Sequence, residues 1–229
     1  MDKRKSISAF MTKERIKGII AIVLYFLVLP IAGLMIAVSL LKAFRAATGI
    51  FNEDIFNDAL TWIPFLIMLI VFAAMYFKTL KEDFKRLTRK NAYFIIVLSI
   101  AGLILNQTSN MLLDFLGVED ASNVDALMGM FGVSIIMVFI ITTICGPVIE
   151  ELVFRKAYSQ VVSNEVVFYI ISILSFALVH STSLRIIPFL IIGATYAVGY
   201  WKTDKNVASS ILLHFINNLV FTCFLLIGW

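Results

Sequence analysis

The sequence predicts an all-α fold, a polytopic transmembrane helical bundle of about seven spans with its N-terminus in the cytoplasm. Of the 229 residues, 61% are hydrophobic and only 15% are charged, whereas a soluble domain is about half apolar and a quarter charged. The charges also lie between long apolar runs. We therefore expect residues 1–229 to form a single transmembrane domain, with the lipid bilayer as its surroundings.

A spanning helix takes about 20 residues, and seven apolar segments are candidate spans, of which the fifth and the sixth are short. They are 18–41, 59–77, 92–113, 127–149, 166–181, 186–201 and 207–228.

The positions of Lys and Arg support this count, because cytoplasmic loops collect basic residues. With the N-terminus inside, only three of the 19 basic residues, Lys42, Arg45 and Arg185, fall in outer segments. The net charge of +4 is thus explained by membrane orientation. We expect no nucleic-acid partner.

Segment 77–90 reads FKTLKEDFKRLTRK and places Phe77, Leu80, Phe84 and Leu87 at helical spacing on a basic background. Two interpretations stay open. The segment is either an amphipathic helix lying on the inner leaflet or an ordinary basic loop that obeys the orientation rule.

Ionisable side chains inside a bilayer cost roughly 2.5 kcal/mol or more each and by default mark function. Here they collect in the last four spans, as Glu150, Glu151, Arg155 and the chain's 2 histidines, His180 and His214. A buried Glu–Arg pair or an isolated histidine can be purely structural. A structural explanation must, however, account for all of these groups lying in one half of the chain.

Helical spacing separates the roles of the two adjacent glutamates. Residues four apart share a helix face, whereas neighbours diverge by about 100°. Glu151 can therefore pair with Arg155, which makes its burial tolerable, and Glu150 points elsewhere and is left for chemistry.

Spacing also places His180 four residues after Phe176, and Asn218 four residues after His214. The candidate site residues Glu150, His180, His214 and Asn218 thus come from three helices. A carboxylate can take a proton from water, an imidazole can hold that water, and an imidazole and a carboxamide can donate to an oxyanion. These groups meet the requirements of amide hydrolysis.

Zinc is the alternative for the same residues, because two histidines and a glutamate are a legitimate zinc-binding set. However, the H-E-x-x-H motif is missing and the histidines lie on different helices. We therefore expect no cofactor.

Three motifs resemble those of a known family. EELVFR fits the pattern EExxxR, FALVH fits FxxxH, and HFINN fits HxxxN/D, in that order along the chain. Over residues 127–225, the expected catalytic core, the chain resembles the CAAX protease and bacteriocin-processing (CPBP, or Abi) family of intramembrane glutamate proteases.

The resemblance implies a role for each motif residue. Glu150 would be the base that activates water, with His180 as its partner, and His214 and Asn218 would form the oxyanion site. Three residues would support them: Glu151, Arg155 and Phe176. Lys156 departs from the pattern, since many relatives have Gly after the Arg.

By the same resemblance, we expect a multi-pass protein of the bacterial cytoplasmic membrane that cleaves a membrane-associated peptide. A CAAX-like terminus, a pheromone precursor or a bacteriocin leader would fit. The alternative is a non-enzymatic protein: a bacteriocin immunity factor, a membrane chaperone or a proton-linked transporter.

The predicted end of the fourth span at 149 conflicts with this site. It leaves Glu150 near the inner surface, whereas His180 lies roughly 20 Å deeper in the fifth span. We therefore expect the fourth helix to continue to about Gln160, which sets Glu150 well inside the bundle.

Overall fold

The structure is a computed structural model and describes residues 12–118 and 135–226. Over these two ranges the chain is helical and has no strand. The helices are α1 (Lys13–Thr48), α2 (Glu53–Met75), α3 (Phe77–Lys85), α4 (Arg89–Phe115), α5 (Ile136–Val161), α6 (Glu165–His180), α7 (Ile186–Lys202) and α8 (Val207–Leu226). The predicted all-α fold is confirmed.

Five of the described helices, α1, α2, α4, α5 and α8, are long and apolar enough to cross a membrane. The other two predicted spans correspond to α6 and α7, apolar helices of 16 and 17 residues. At about 1.5 Å per residue, each is somewhat shorter than the roughly 30 Å of a bilayer's hydrocarbon core. The number of spans and the cytoplasmic N-terminus stay predictions.

The predicted end of the fourth span at 149 is wrong, because α5 continues to Val161. This agrees with the end near Gln160 expected from the depth of the histidines. Glu150 consequently lies about 20 Å from the first residue of α5 and about 16 Å from its last. The start of this predicted span, 127–134, lies outside the described residues.

Two wide helical turns lie on either side of the glutamates in α5. A π-helical turn, Ile141–Cys145, precedes Pro147, and another, Leu152–Ala157, follows the short α-helical stretch Gly146–Glu151. Proline lacks the backbone donor that an α-helix needs, and a wider turn accommodates that loss. The helix therefore passes through Pro147 without ending.

The basic segment after α2 forms a helix, α3, rather than a loop. Its Phe77 and Phe84 are exposed, at 63% and 46%, whereas Leu80 and Leu87 pack against the core. The helix ends at Lys85, earlier than the predicted segment. The position of α3 on the inner leaflet stays a prediction.

Helix α3 fixes the start of α8 through the buried carboxylate of Asp83. Asp83 Oδ2 accepts the backbone N–H of Val207, the first residue of α8, at 2.8 Å. Arg86 Nη2 lies 2.6 Å from Asp83 Oδ1, and Asn206 Nδ2 donates to the Asp83 carbonyl oxygen at 2.8 Å. A carboxylate at a helix N-terminus satisfies an unpaired donor and complements the helix dipole.

We expect Asp83→Ala to lower the free energy of unfolding by about 2 kcal/mol, because a buried donor at the start of α8 loses a charged acceptor. Thermal or denaturant unfolding of the purified protein in detergent measures this loss. Glu82→Ala, at the exposed neighbouring position, is the matched control and should change stability little. Equal stability of the two variants would show that Asp83 does not anchor α8.

Candidate active site

A buried ion pair lies at the centre of the C-terminal helices. Glu151 and Arg155 are both 0% exposed, and Arg155 Nε lies 3.3 Å from Glu151 Oε2. Arg155 also donates to Ser172 Oγ at 2.6 Å and to the Gly193 carbonyl oxygen at 3.0 Å. The pairing expected from the four-residue spacing is therefore present, and Arg155 connects α5 to α6 and α7.

Glu151 connects the same network to α8. Its Oε2 accepts a hydrogen bond from the Ser210 hydroxyl, and its Oε1 lies 3.1 Å from His214 Nδ1. The Ser210 hydroxyl also lies 3.1 Å from the Tyr196 carbonyl oxygen, in α7. A buried carboxylate is stable only when such donors replace its lost hydration. Both carboxylate oxygens of Glu151 are therefore engaged by neighbouring side chains.

Glu150 has a different environment, between the two histidines. Its Oε2 lies 3.8 Å from His180 Nε2 and 3.9 Å from His214 Nε2. These separations are too long for direct hydrogen bonds. Oε2 is buried and accepts no hydrogen bond from the described part of the chain. Polar atoms at such separations are commonly connected by a bridging water molecule or a substrate atom.

Each histidine ring is oriented through its other nitrogen. His180 Nδ1 lies 2.7 Å from the Phe176 carbonyl oxygen, and the carbonyl can only accept, so Nδ1 carries a proton. His214 Nδ1 is held by Glu151. Both Nε2 atoms therefore face Glu150. The Phe176 carbonyl group fixes this orientation for His180, and Glu151 fixes it for His214.

Phe176 packs against both rings. Its centroid lies 4.5 Å from that of His180 and 5.7 Å from that of His214. Because Phe176 is buried, the sides of the two histidine rings that contact it are closed to solvent. The exposed edge of the site is His180, whose side chain is 27% accessible.

Asn218 is turned towards α5. Its Nδ2 donates to the carbonyl oxygen of Thr142 at 2.8 Å, in the first wide turn of that helix. One of its two N–H groups is therefore used by the protein, and the second is left for another acceptor.

Sequence reasoning missed several residues that hold the site together. Tyr196 stacks on the His214 ring at 4.3 Å and 21°, and Ser172, Gly193 and Ser210 bind the ion pair. For Ser210 the sequence did contain an indication, because this residue lies four positions before His214 and therefore on the same helix face. The other three lie on neighbouring helices, where spacing along the chain gives no indication of contact.

The region that carries these residues matches a known protein family. Residues 132–220 match the family model described as type II CAAX prenyl endopeptidase Rce1-like. This part of the chain, less than half of its length, is similar to the Rce1-like family. The match contains the motifs EELVFR, FALVH and HFINN, so the resemblance found in the sequence is confirmed.

Two relatives extend the comparison beyond the Rce1-like region. The chain is 26% identical over 196 residues to an uncharacterized protein of Mycoplasma capricolum subsp. capricolum, covering 75% of this chain and 58% of that protein. It is 29% identical over 181 residues to UPF0177 protein YbdI of Lactococcus lactis subsp. lactis, covering 70% and 93%. The chain thus spans less than two thirds of the Mycoplasma relative. No solved structure matches it significantly.

The match to the Rce1-like family model and the long apolar helices together indicate a multi-pass membrane protein. Among the residues in 12–118 and 135–226, no group of three or more His, Cys, Asp or Glu side chains is arranged to hold a metal ion. In a tetrahedral zinc site with bonds of 2.0–2.1 Å, two ligand atoms lie about 3.3–3.4 Å apart. Glu150 Oε2 lies farther than this from the two histidine Nε2 atoms, at 3.8 and 3.9 Å.

The adjacent glutamates of the Rce1-like motif should differ in their effect on stability. We expect Glu151→Ala to cost about 3–5 kcal/mol of unfolding free energy, because it leaves Arg155 buried without its partner. Glu150→Ala is the control and should cost less than about 1 kcal/mol, since it removes no protein hydrogen bond from Oε2. Folded yield and thermal unfolding in detergent measure both. Equal losses would contradict the division of roles.

Proposed function

We propose that this protein is an intramembrane endopeptidase that hydrolyses a membrane-associated peptide with water activated by Glu150. One observation carries the proposal: Glu150 Oε2 lies 3.8 and 3.9 Å from two histidine Nε2 atoms and accepts no hydrogen bond from the described residues. The match of residues 132–220 to the Rce1-like family model supports the class of reaction.

In this mechanism one water molecule occupies the gap and hydrogen-bonds to Glu150 and His180 Nε2. Glu150 takes a proton from the water as its oxygen attacks the carbonyl carbon of the scissile amide. The apolar helices around the site exclude competing water, and this strengthens the hydrogen bond between Glu150 and the attacking water. Glu150 later transfers the proton to the amide nitrogen as the C–N bond breaks.

The attack moves an electron pair onto the carbonyl oxygen, and we propose that His214 and Asn218 donate hydrogen bonds to it. His214 Nδ1 donates its proton to the Glu151 carboxylate, so His214 would donate through Nε2 in the form that carries a proton on both ring nitrogens. Asn218 would donate the N–H that Thr142 does not use. Donors fixed before the reaction stabilise the oxyanion without reorganisation, which is commonly the largest single contribution to rate.

The positions of Glu150 and His214 support a membrane-associated peptide as the substrate. Glu150 is in the middle of α5 and His214 lies within α8, two helices long enough to cross a bilayer, so the scissile bond must reach the membrane interior. A CAAX-like terminus, a pheromone precursor or a bacteriocin leader meets this requirement. The bacterial cytoplasmic membrane is the proposed location.

We expect Glu150→Gln to reduce cleavage at least about 100-fold, the usual contribution of a general base, because glutamine keeps the size of the side chain but cannot accept the proton. Comparing the membrane peptidomes of cells with the wild-type protein and with Glu150→Gln both identifies the substrate and measures the loss. Asp204→Asn, an exposed carboxylate between α7 and α8, is the control. Undiminished processing by Glu150→Gln would exclude the proposed mechanism.

We further propose that the water is activated without a metal. Support comes from the separations around Glu150, which are wider than a tetrahedral zinc site has, and from Glu151, whose oxygens are already bound by Ser210, Arg155 and His214. Elemental analysis of purified protein should find less than about 0.1 zinc per chain, and a chelator should leave cleavage unchanged. Stoichiometric zinc that is lost in His180→Ala would overturn this.

A further inference from the structure

A basic cavity lies at one end of the bundle, away from the candidate active site. Its volume is about 500 Å³, and it opens between α3 and the last turns of α5. It is lined by Thr79, Glu82, Asp83, Lys85, Arg86 and Lys156.

Some of the charged side chains that line this cavity have ion-pair partners and others do not. Asp83 is already neutralised, because its carboxylate pairs with Arg86 at 2.6 Å and accepts the N–H of Val207 at 2.8 Å. Lys85 and Lys156, in contrast, form no ion pair with a described residue. The second carboxylate that lines the cavity, Glu82, is exposed. The cavity therefore presents cationic groups that an anion can bind.

The position of the cavity indicates what kind of anion would reach it. Helix α3 begins two residues after the end of α2, and Lys156 lies about 8 Å before the end of α5. Both positions are near the ends of helices that can span a bilayer. The exposed rings of Phe77 and Phe84 lie on the same helix, α3. Cations beside exposed apolar side chains at this depth suit a phospholipid, whose phosphate and acyl chains lie next to each other.

We propose that this cavity binds the phosphate group of an anionic phospholipid, with Lys85 and Lys156 as its main ligands. The chemistry is shared with inorganic phosphate, but the exposed apolar side chains favour the lipid. The proposal does not depend on proteolysis. The bound headgroup would lie beside Asp83, and thus beside the residue that anchors α8 and its His214.

The test measures lipid binding to the purified full chain by native mass spectrometry, with phosphatidylglycerol and phosphatidylcholine as the probes. Lys85→Gln with Lys156→Gln should weaken phosphatidylglycerol binding about thirty-fold, since each basic residue contributes about five-fold. The matched control is Lys78→Gln with Lys81→Gln, which removes the same charge from exposed positions of α3 outside the cavity. It should lose less than about three-fold.

Three results would overturn the proposal: equal losses in the two double variants, equal binding of the two lipids by the wild-type protein, or full displacement of phosphatidylglycerol by millimolar inorganic phosphate. The first indicates diffuse surface attraction, the second a site without charge selectivity, and the third a site for free phosphate. Two further variants exclude a folding defect. Lys156→Arg should bind like the wild type, and Lys85→Gln alone, at an exposed position, should lose about five-fold.

Discussion

The buried pair of Glu151 and Arg155 holds the four C-terminal helices in their relative positions. Each charge would cost several kcal/mol if it lost its water without replacement, so the fold must supply donors and acceptors from every side. Ser172 and the Gly193 carbonyl group bind Arg155, and Ser210 and His214 bind Glu151. A displacement of any of these helices would leave a charge unpaired in an apolar interior. The helix positions are therefore tightly constrained, and with them the distances in the candidate active site.

This constraint gives two neighbouring glutamates opposite properties. Glu151 is fully enclosed, and each of its two carboxylate oxygens accepts a hydrogen bond from α8. Glu150 points about 100° away around the helix, towards a gap between His180 and His214 that is wide enough for a solvent molecule. Structural and chemical roles are thus separated between adjacent residues. His214 is shared by both, because one ring nitrogen contacts Glu151 and the other faces Glu150.

The histidine at the exposed edge of the site depends on a second anchor. His180 is the last residue of α6, and the turn that follows is fixed to α4. Arg185 Nη2 lies 2.5 Å from Asp114 Oδ1 and 2.6 Å from the Val118 carbonyl oxygen. The chain after His180 is no longer helical, so the helix holds this residue from one side only. The contacts of Arg185 therefore limit how far the end of α6 can move. The site therefore relies on polar contacts at its edge as well as at its centre.

The sequence by itself determined the fold class and the contacts within single helices. Composition decides that the chain must bury its backbone groups in helices, and a four-residue spacing decides that Glu151 can reach Arg155. What depends on how separate helices pack was decided only by the tertiary structure. This includes the turn of Asn218 towards Thr142 and the stacking of Tyr196 on His214. The reason is that periodicity describes positions around one helix axis, whereas distances between axes depend on the packing of all the side chains between them.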